Sequence, residues 1–344
     1  MPPSTEYLKR LFQSFRDEDD ATFYKVAETL IAEELVANHH AVARDLKRAL
    51  GESKEASRKL SNGTGTSNEL KTLPKDRRSG DELVTLQYST VDQTKIILGN
   101  QTRARVERIL EEHRQRKNLA RYGYTPKTKL LFWGSPGCGK TFTAQYIAYE
   151  LGLPIGIVQI SSLISSFLGD TASNLQRIFK LANSTPMVLL LDEVDAVGKS
   201  RDDPNDVGEL KRVVNSLLQV MDMFNSNHSI IIASTNHQYL LDPALWRRFD
   251  DVLNFPIPGK AEREQYIKTL LNGVHFEGSV ANLAKSTSSM SYADIKKVVV
   301  EGVKTMILSG REKLLSTDIT EQLRIHRDTA LASKIVNQLK ENDD

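Results

Sequence analysis

Gly134-Ser135-Pro136-Gly137-Cys138-Gly139-Lys140-Thr141 brings glycines, an ammonium and a hydroxyl together at a spacing suited to holding phosphate groups. Glycines let consecutive backbone N–H groups turn toward an anion where a Cβ would collide. An apolar run precedes the loop, and a helical pattern with Phe142, Ile147 and Leu151 on its inner face follows it. A helix N-terminus adds favourable potential for anions. The expected roles are Lys140 on the β- and γ-phosphates, the Thr141 hydroxyl on Mg²⁺, and Pro136, Gly137, Cys138, Gly139 and Phe142 along the bound nucleotide. Cys138 stands at a free position of the loop. Either it is a small tolerated side chain or it is a redox-sensitive thiol activated by the helix end.

A second constellation lies 52 residues after Lys140, where Val188-Leu-Leu-Leu ends in Asp192-Glu193. Strand alternation sends neighbouring side chains in different directions, so two adjacent carboxylates can hold different roles. Asp192 is expected to organise the Mg²⁺ shell together with Thr141. Glu193 is expected to polarise the water that attacks the terminal phosphate. Asp195 is the weaker candidate and reads as structural. Together the two constellations call for ATP and Mg²⁺ as the bound species.

These residues need a scaffold. Leu130–Trp133, Val188–Leu191 and Ile230–Ala233 are short apolar runs that read as buried parallel strands, separated by helical patterns. Leu83–Tyr88 reads as a strand and Gln101–Leu119 as a helix. The fold class is therefore α/β: a P-loop NTPase with a parallel sheet flanked by helices. After Pro256 and Pro258 the strand runs stop, and 260–272, 291–309 and 316–340 read as helices. The expected organisation is an N-terminal helical domain for partner or substrate recruitment over 1–60, a flexible linker over 61–80, a large α/β domain over 81–257 and a helical lid over 258–344. Residues 4–50 carry three apolar stripes at helical spacing, and Ser61-Asn-Gly-Thr-Gly-Thr-Ser67 has a linker composition.

Composition narrows the function classes. The 344 residues hold 46 basic and 44 acidic side chains for a net charge of +2, which gives no push toward nucleic acid or an anionic membrane. The single cysteine excludes an intrachain disulfide and fits a reducing compartment. No apolar stretch approaches the ~18 residues needed to span a bilayer, so a cytoplasmic protein is the expectation. Arg103, Arg105, Arg108, Arg114, Arg116, Lys117 and Arg121 are interleaved with Glu107, Glu111 and Glu112 and read as a solvated helix with i,i+4 pairs. His39 and His40 are adjacent and point to different helix faces, a poor metal pair.

Several further segments, in the order they occur, resemble the AAA ATPases, the group that includes katanin, spastin and FtsH. Ile231-Ile-Ala-Ser-Thr-Asn236 is similar to the sensor-1 segment, which implies that Asn236 positions water near the γ-phosphate. Leu241-Asp-Pro-Ala-Leu-Trp-Arg247-Arg248-Phe-Asp250 resembles the second homology region, which implies that Arg247 and Arg248 act as arginine fingers in a neighbouring subunit's site. The bland alternative pairs them with Asp250 and Asp251 at a surface turn. Ser166-Phe167-Leu168-Gly169-Asp170 resembles pore loop 1, so Phe167, Leu168 and Gly169 would grip an extended peptide in the central channel; the alternative buries Phe167 in the core. Residues 201–209 would form a second pore loop or a plain surface loop. Arg121-Tyr122-Gly123 resembles the adenine-contacting segment, and Ser291-Tyr292-Ala293-Asp294-Ile295 resembles the lid motif. Tyr292 departs from that motif, where glycine is usual.

The resemblance implies an ATPase that assembles into a homohexamer and remodels, unfolds or threads protein substrates. The overall layout also resembles stand-alone bacterial AAA ATPases encoded beside a subtilisin-like serine protease in phage-defence or toxin–antitoxin pairs. That makes such a protease an expected partner. Two other classes stay open: a regulatory switch whose ATP state controls a partner without threading, and a nucleic-acid remodeller, which the near-neutral charge disfavours.

Overall fold

The computed structural model describes residues 74–75, 80, 82–89, 96–166, 170–196 and 207–343, together with 26–27 and 29–30. The chain divides into two compact units, Met1–Thr72 and Leu73–Asp344. In the first unit Val26, Ala27, Thr29 and Leu30 are helical. The remainder of the expected N-terminal stripes lies outside the described residues, as do His39, His40, Phe167, Leu168, Gly169 and 201–206.

In the second unit a six-stranded sheet forms from β1 (Thr85–Gln87), β2 (Lys129–Gly134), β3 (Ile155–Gln159), β4 (Val188–Asp192), β5 (Ile230–Thr235) and β6 (Asp251–Phe255). Its order is β1-β3-β4-β5-β2-β6. Every pairing is parallel except β1 against β3. The central strands are apolar on both faces because both are covered. Leu189 and Leu191 of β4 and Ile231 and Ala233 of β5 pack into one core with α4 (Ile160–Ser166), α5 (Thr171–Ser184) and α6 (Val207–Met223). Val188 and Leu190, with Ile230 and Ile232, pack into the opposite core with α1 (Asn100–Arg114) and α3 (Lys140–Glu150).

The expected helix over Gln101–Leu119 is two helices, α1 and α2 (Arg116–Arg121), separated at Gln115. Its arginines do more than line a solvated face. Arg108 makes the i,i+4 pair with Glu112, but Arg105 and Lys127 reach buried Asp251, and Arg114 reaches Glu150. From the expected linker, Lys75 forms an isolated antiparallel β-bridge with Glu82, and the Pro74 carbonyl accepts from the Leu83 N–H at 2.9 Å.

β3 and β6 were not expected. β3 is Ile-Gly-Ile-Val-Gln, and β6 alternates buried Asp251, Leu253 and Phe255 with less buried residues at the sheet edge; neither shows an unbroken apolar run. A short helix, α7 (Pro243–Trp246), precedes β6. The C-terminal part contains α8 (Lys260–Leu270), β7 (His275–Glu277), α9 (Val280–Ser286), α10 (Tyr292–Leu308), β8 (Lys313–Leu315) and α11 (Ser316–Asp343) around their own apolar core. It is not purely helical, since β7 and β8 pair in parallel. Among the described residues no helix is long and apolar enough to cross a membrane.

Candidate nucleotide site

The strand order determines which side chains meet. β5 lies between β2 and β4, so the loop after β2, the end of β5 and the acidic end of β4 open on the same edge of the sheet. A cleft of about 670 Å³ lies there, within the range of small-molecule sites. Pro136, Gly137, Gly139, Lys140 and Thr141 line it on one side, and Asp192, Glu193 and Asn236 on another.

The loop's backbone explains its glycines. Gly137 has φ +72°, and a Cβ there would stand 2.7 Å from both the Ala293 Cβ and the Ser291 Oγ. Gly134 has φ +139°, and a Cβ there would meet the Phe255 carbonyl oxygen at 2.2 Å. The loop therefore threads between β6 and the start of α10 only because these positions lack side chains.

Lys140 is buried and donates to the Gly134 and Ser135 carbonyls at 2.7 and 3.0 Å and to Asn236 Oδ1 at 2.7 Å. Burial pushes its ammonium below the ordinary lysine range, while the Asp192 and Asp195 carboxylates act in the opposite direction. Thr141 Oγ1 donates to Asp192 Oδ2 at 3.3 Å. The other Asp192 oxygen accepts from Ser234 Oγ and from the Glu193 N–H, the latter at 3.1 Å. A hydroxyl and a carboxylate side by side are hard oxygen donors, and the Glu193 carboxylate lines the same cleft, so the set fits a divalent cation such as Mg²⁺.

Glu193 is the described non-glycine residue with positive φ, +56°. A left-handed backbone at a non-glycine residue costs on the order of 1 kcal/mol. It turns the carboxylate out of the strand into the cleft, where Ser161 Oγ donates to Oε2 at 3.3 Å. Asp195 is fully buried and accepts from Thr235 Oγ1 at 2.9 Å and from the Asn236 N–H at 3.4 Å. It holds the end of β5 and the backbone of Asn236 in place.

Three expectations need correction. Tyr122 and Gly123 do not line the cleft. They follow α2 near the start of β2, whereas the phosphate loop leaves its far end, and Tyr122 is 81% exposed. Ile96, Ile97 and Leu98 line the cleft in their place. Phe142 is not on the inner face of α3. It lies five residues, about 140° around a 3.6-residue helix, from buried Ile147, and it lines the cleft mouth instead. Cys138 is buried, and desolvation raises its thiol above the ordinary range; the coulombic pull of Lys140 is the lesser effect. That disfavours the thiolate and the redox reading with it.

Arg247 and Arg248 do not pair with Asp250 or Asp251. Asp251 is taken by Arg105 and Lys127, and Asp250 accepts from the Thr128 and Lys129 N–H groups at 2.8 and 2.9 Å. Arg248 instead donates from Nη2 to Asp222 Oδ2 at 3.0 Å and from Nη1 to the Ala244 carbonyl at 2.8 Å. Arg247 is exposed and makes no ion pair among the described residues. Ala293 lines the cleft, and its N–H donates to the Gly137 carbonyl at 3.2 Å. Ser161, Ser234, Tyr266 and Lys296 were missed. A serine near a strand end, or a tyrosine and a lysine on a helix, gives no local signal of a partner far along the chain.

A sequence profile described as "ATPase family associated with various cellular activities (AAA)" matches residues 130–257. An uncharacterised AAA family ATPase, y4kL, of Sinorhizobium fredii is 34% identical over 326 residues, covering 93% of this chain and 94% of that protein. The chain is an AAA family ATPase. It binds nucleotide and hydrolyses ATP. This ATPase is also 40% identical over 178 residues to a putative 26S proteasome regulatory subunit homolog of Methanothermobacter marburgensis, covering 50% of the chain and 47% of that protein. To the ATP-dependent zinc metalloprotease FtsH of Lancefieldella parvula it is 35% identical over 207 residues, 58% of the chain and 32% of the relative. The chain thus spans nearly all of y4kL but half or less of these two.

Proposed function

We propose that this AAA ATPase works as a ring of identical subunits, a homohexamer, that spends Mg-ATP hydrolysis on remodelling or unfolding protein substrates. One observation carries the reading. The Asp250 N–H donates to the Lys129 carbonyl at 2.8 Å, so the segment holding Arg247 and Arg248 runs beside the first residue of β2. The phosphate loop leaves the last residue of the same strand. Six residues of strand put roughly 17 Å between the two ends. An arginine so placed serves a phosphate bound in another copy of the chain.

Within the pair, Arg247 is free to reach outward, and we assign it the contact with the transferring phosphoryl. Arg248, held by Asp222 and Ala244, fixes the segment that presents it. In the subunit's own cleft, Lys140 binds the β- and γ-phosphates and Thr141 and Asp192 hold Mg²⁺. Glu193 takes the proton of the attacking water, and Asn236, held by Asp195 and Lys140, orients that water. Bound Mg²⁺ supplies charge neutralisation at the phosphates.

A protein substrate is supported by relatives that include a proteasome-activating nucleotidase of Thermococcus onnurineus, 33% identical over 208 residues. The segment Phe167-Leu168-Gly169 is the proposed grip. The finer part of the proposal, delivery to or restraint of a separately encoded subtilisin-like protease, is supported by the resemblance in layout alone.

The test is ATPase rate per subunit against protein concentration with mass by light scattering, joined to an unfolding assay on a tagged fluorescent protein. Specific activity that rises with assembly, and fluorescence loss that disappears in Phe167→Ala, support the motor. Activity flat in concentration at monomer mass, with no unfolding, refutes it and leaves an ATP-controlled switch.

A further inference from the structure

The cleft has a second end, away from the phosphate loop. Ile97 and Leu98 line it from the segment before α1, Tyr266 and Leu270 from α8, and Tyr292 and Lys296 from α10. With the phosphates held on the loop, the nucleoside has only this apolar and aromatic end to occupy.

Tyr292 stands where that end meets the loop. It is the first helical residue of α10, directly after the N-cap Ser291, whose Oγ accepts from the Asp294 N–H. Its ring is half-buried and meets Tyr266 edge-on, with centroids 4.9 Å apart and planes at 77°. The next residue, Ala293, bonds the Gly137 carbonyl, so the ring is anchored one residue from the point where α10 touches the phosphate loop. The Tyr292 hydroxyl makes no hydrogen bond among the described residues. Burial pushes the phenol far above its ordinary range, so the side chain stays neutral.

We infer that Tyr292 is a nucleobase-contacting residue: its ring, braced by Tyr266, forms the α10-side wall of the base subsite and latches α10 onto bound nucleotide. The inference rests on the cleft being the nucleotide site. An aromatic face tolerates any base, so the contact raises affinity and slows release more than it selects one base. A residue without a side chain at this position would leave the base open to water on that side.

The test uses the full chain with fluorescent N-methylanthraniloyl-ADP as reporter, displaced by unlabelled ADP or by tripolyphosphate, which carries phosphates and no nucleoside. In Tyr292→Gly, ADP is expected to bind about tenfold more weakly, the scale of one base–aromatic stack, while tripolyphosphate binds as in wild type. Release of the fluorescent ADP should quicken correspondingly, and Tyr292→Phe should restore both values because the ring makes the contact. Tyr266→Leu removes the brace from α8, leaving the sequence of α10 intact, and should give the same selective loss. Equal weakening of ADP and tripolyphosphate would overturn the inference, since Tyr292 would then act on the phosphate loop. So would unchanged ADP binding in Tyr292→Gly. Failure of wild type to bind either competitor would instead sink the assignment of the cleft.

Discussion

The division of labour between two adjacent arginines can be measured directly. Arg247→Ala removes an exposed side chain with no ion pair among the described residues, so the melting curve should move by no more than about 0.5 kcal/mol. ATPase activity should fall about 10³-fold or more, the lower bound for a lost arginine finger. Arg248→Ala should behave differently. Its guanidinium makes a two-point ion pair with Asp222, which is more than half exposed and hence screened, and it adds one bond to the Ala244 carbonyl. A screened pair contributes about 0.5–1 kcal/mol and a charged donor on a carbonyl about as much again. The total, about 1–2 kcal/mol, is a few degrees of melting temperature in a domain of this size. Asp222→Ala should reproduce about half of that loss, since the bond to the Ala244 carbonyl survives. The decisive assay mixes Arg247→Ala with Lys140→Ala, each inactive alone. The first supplies an intact cleft and the second an intact arginine, so roughly a quarter of the interfaces in a random equal mixture should be competent. No recovered activity on mixing, or near-normal activity of Arg247→Ala by itself, would refute the trans-acting assignment.

Three other perturbations follow from the same geometry. Glu193→Gln should retain ADP binding in an equilibrium titration while hydrolysis drops at least about 10²-fold, because the amide keeps the shape but cannot take a proton. Gly137→Ala forces a methyl within 2.7 Å of Ala293 and Ser291 at a φ of +72°, so α10 should lift off the loop. Hydrogen exchange at the Ala293 amide should then quicken, and nucleotide binding should weaken; an unchanged exchange rate would count against the contact. Acid stability should depend on His113, which is buried with Nε2 2.7 Å from the Lys127 carbonyl and which desolvation holds below its ordinary pKa. The unfolded chain takes up a proton near pH 6.5 that the folded chain refuses, so stability is lost as pH falls from about 7 toward 5. Urea midpoints across that window should slope less steeply in His113→Gln, and an identical slope would mean that other groups govern the acid limb.

The phosphate loop and the acidic strand end were legible in the sequence because their chemistry is local. Glycines that must lack a Cβ, a lysine and a hydroxyl stand within eight residues, and an apolar strand announces where Asp192 and Glu193 emerge. Asn236 and the two arginines were legible as segments, but not their surroundings. That Arg248 is spent on Asp222 while Arg247 stands free depends on α6 passing beside the turn before β6, a contact between residues 26 apart. Tyr122 and Gly123 were placed at the nucleotide by resemblance, but they follow α2 and precede β2, at the end of that strand away from the phosphate loop. Ile96, Ile97 and Leu98, farther back in the chain, reach the cleft only through tertiary packing, which no local pattern announces. Phe142 was placed both on the inner helix face and along the nucleotide; helical phase takes it off the inner face, and it lines the cleft. β3 and β6 were overlooked because short strands without a continuous apolar run are stabilised by their neighbours more than by their own residues. The sequence by itself determined the reacting groups, since a phosphate site is written in residue types at close spacing. The tertiary structure decided which of them meet, because pairings between residues far apart in the chain are made by strand order and packing.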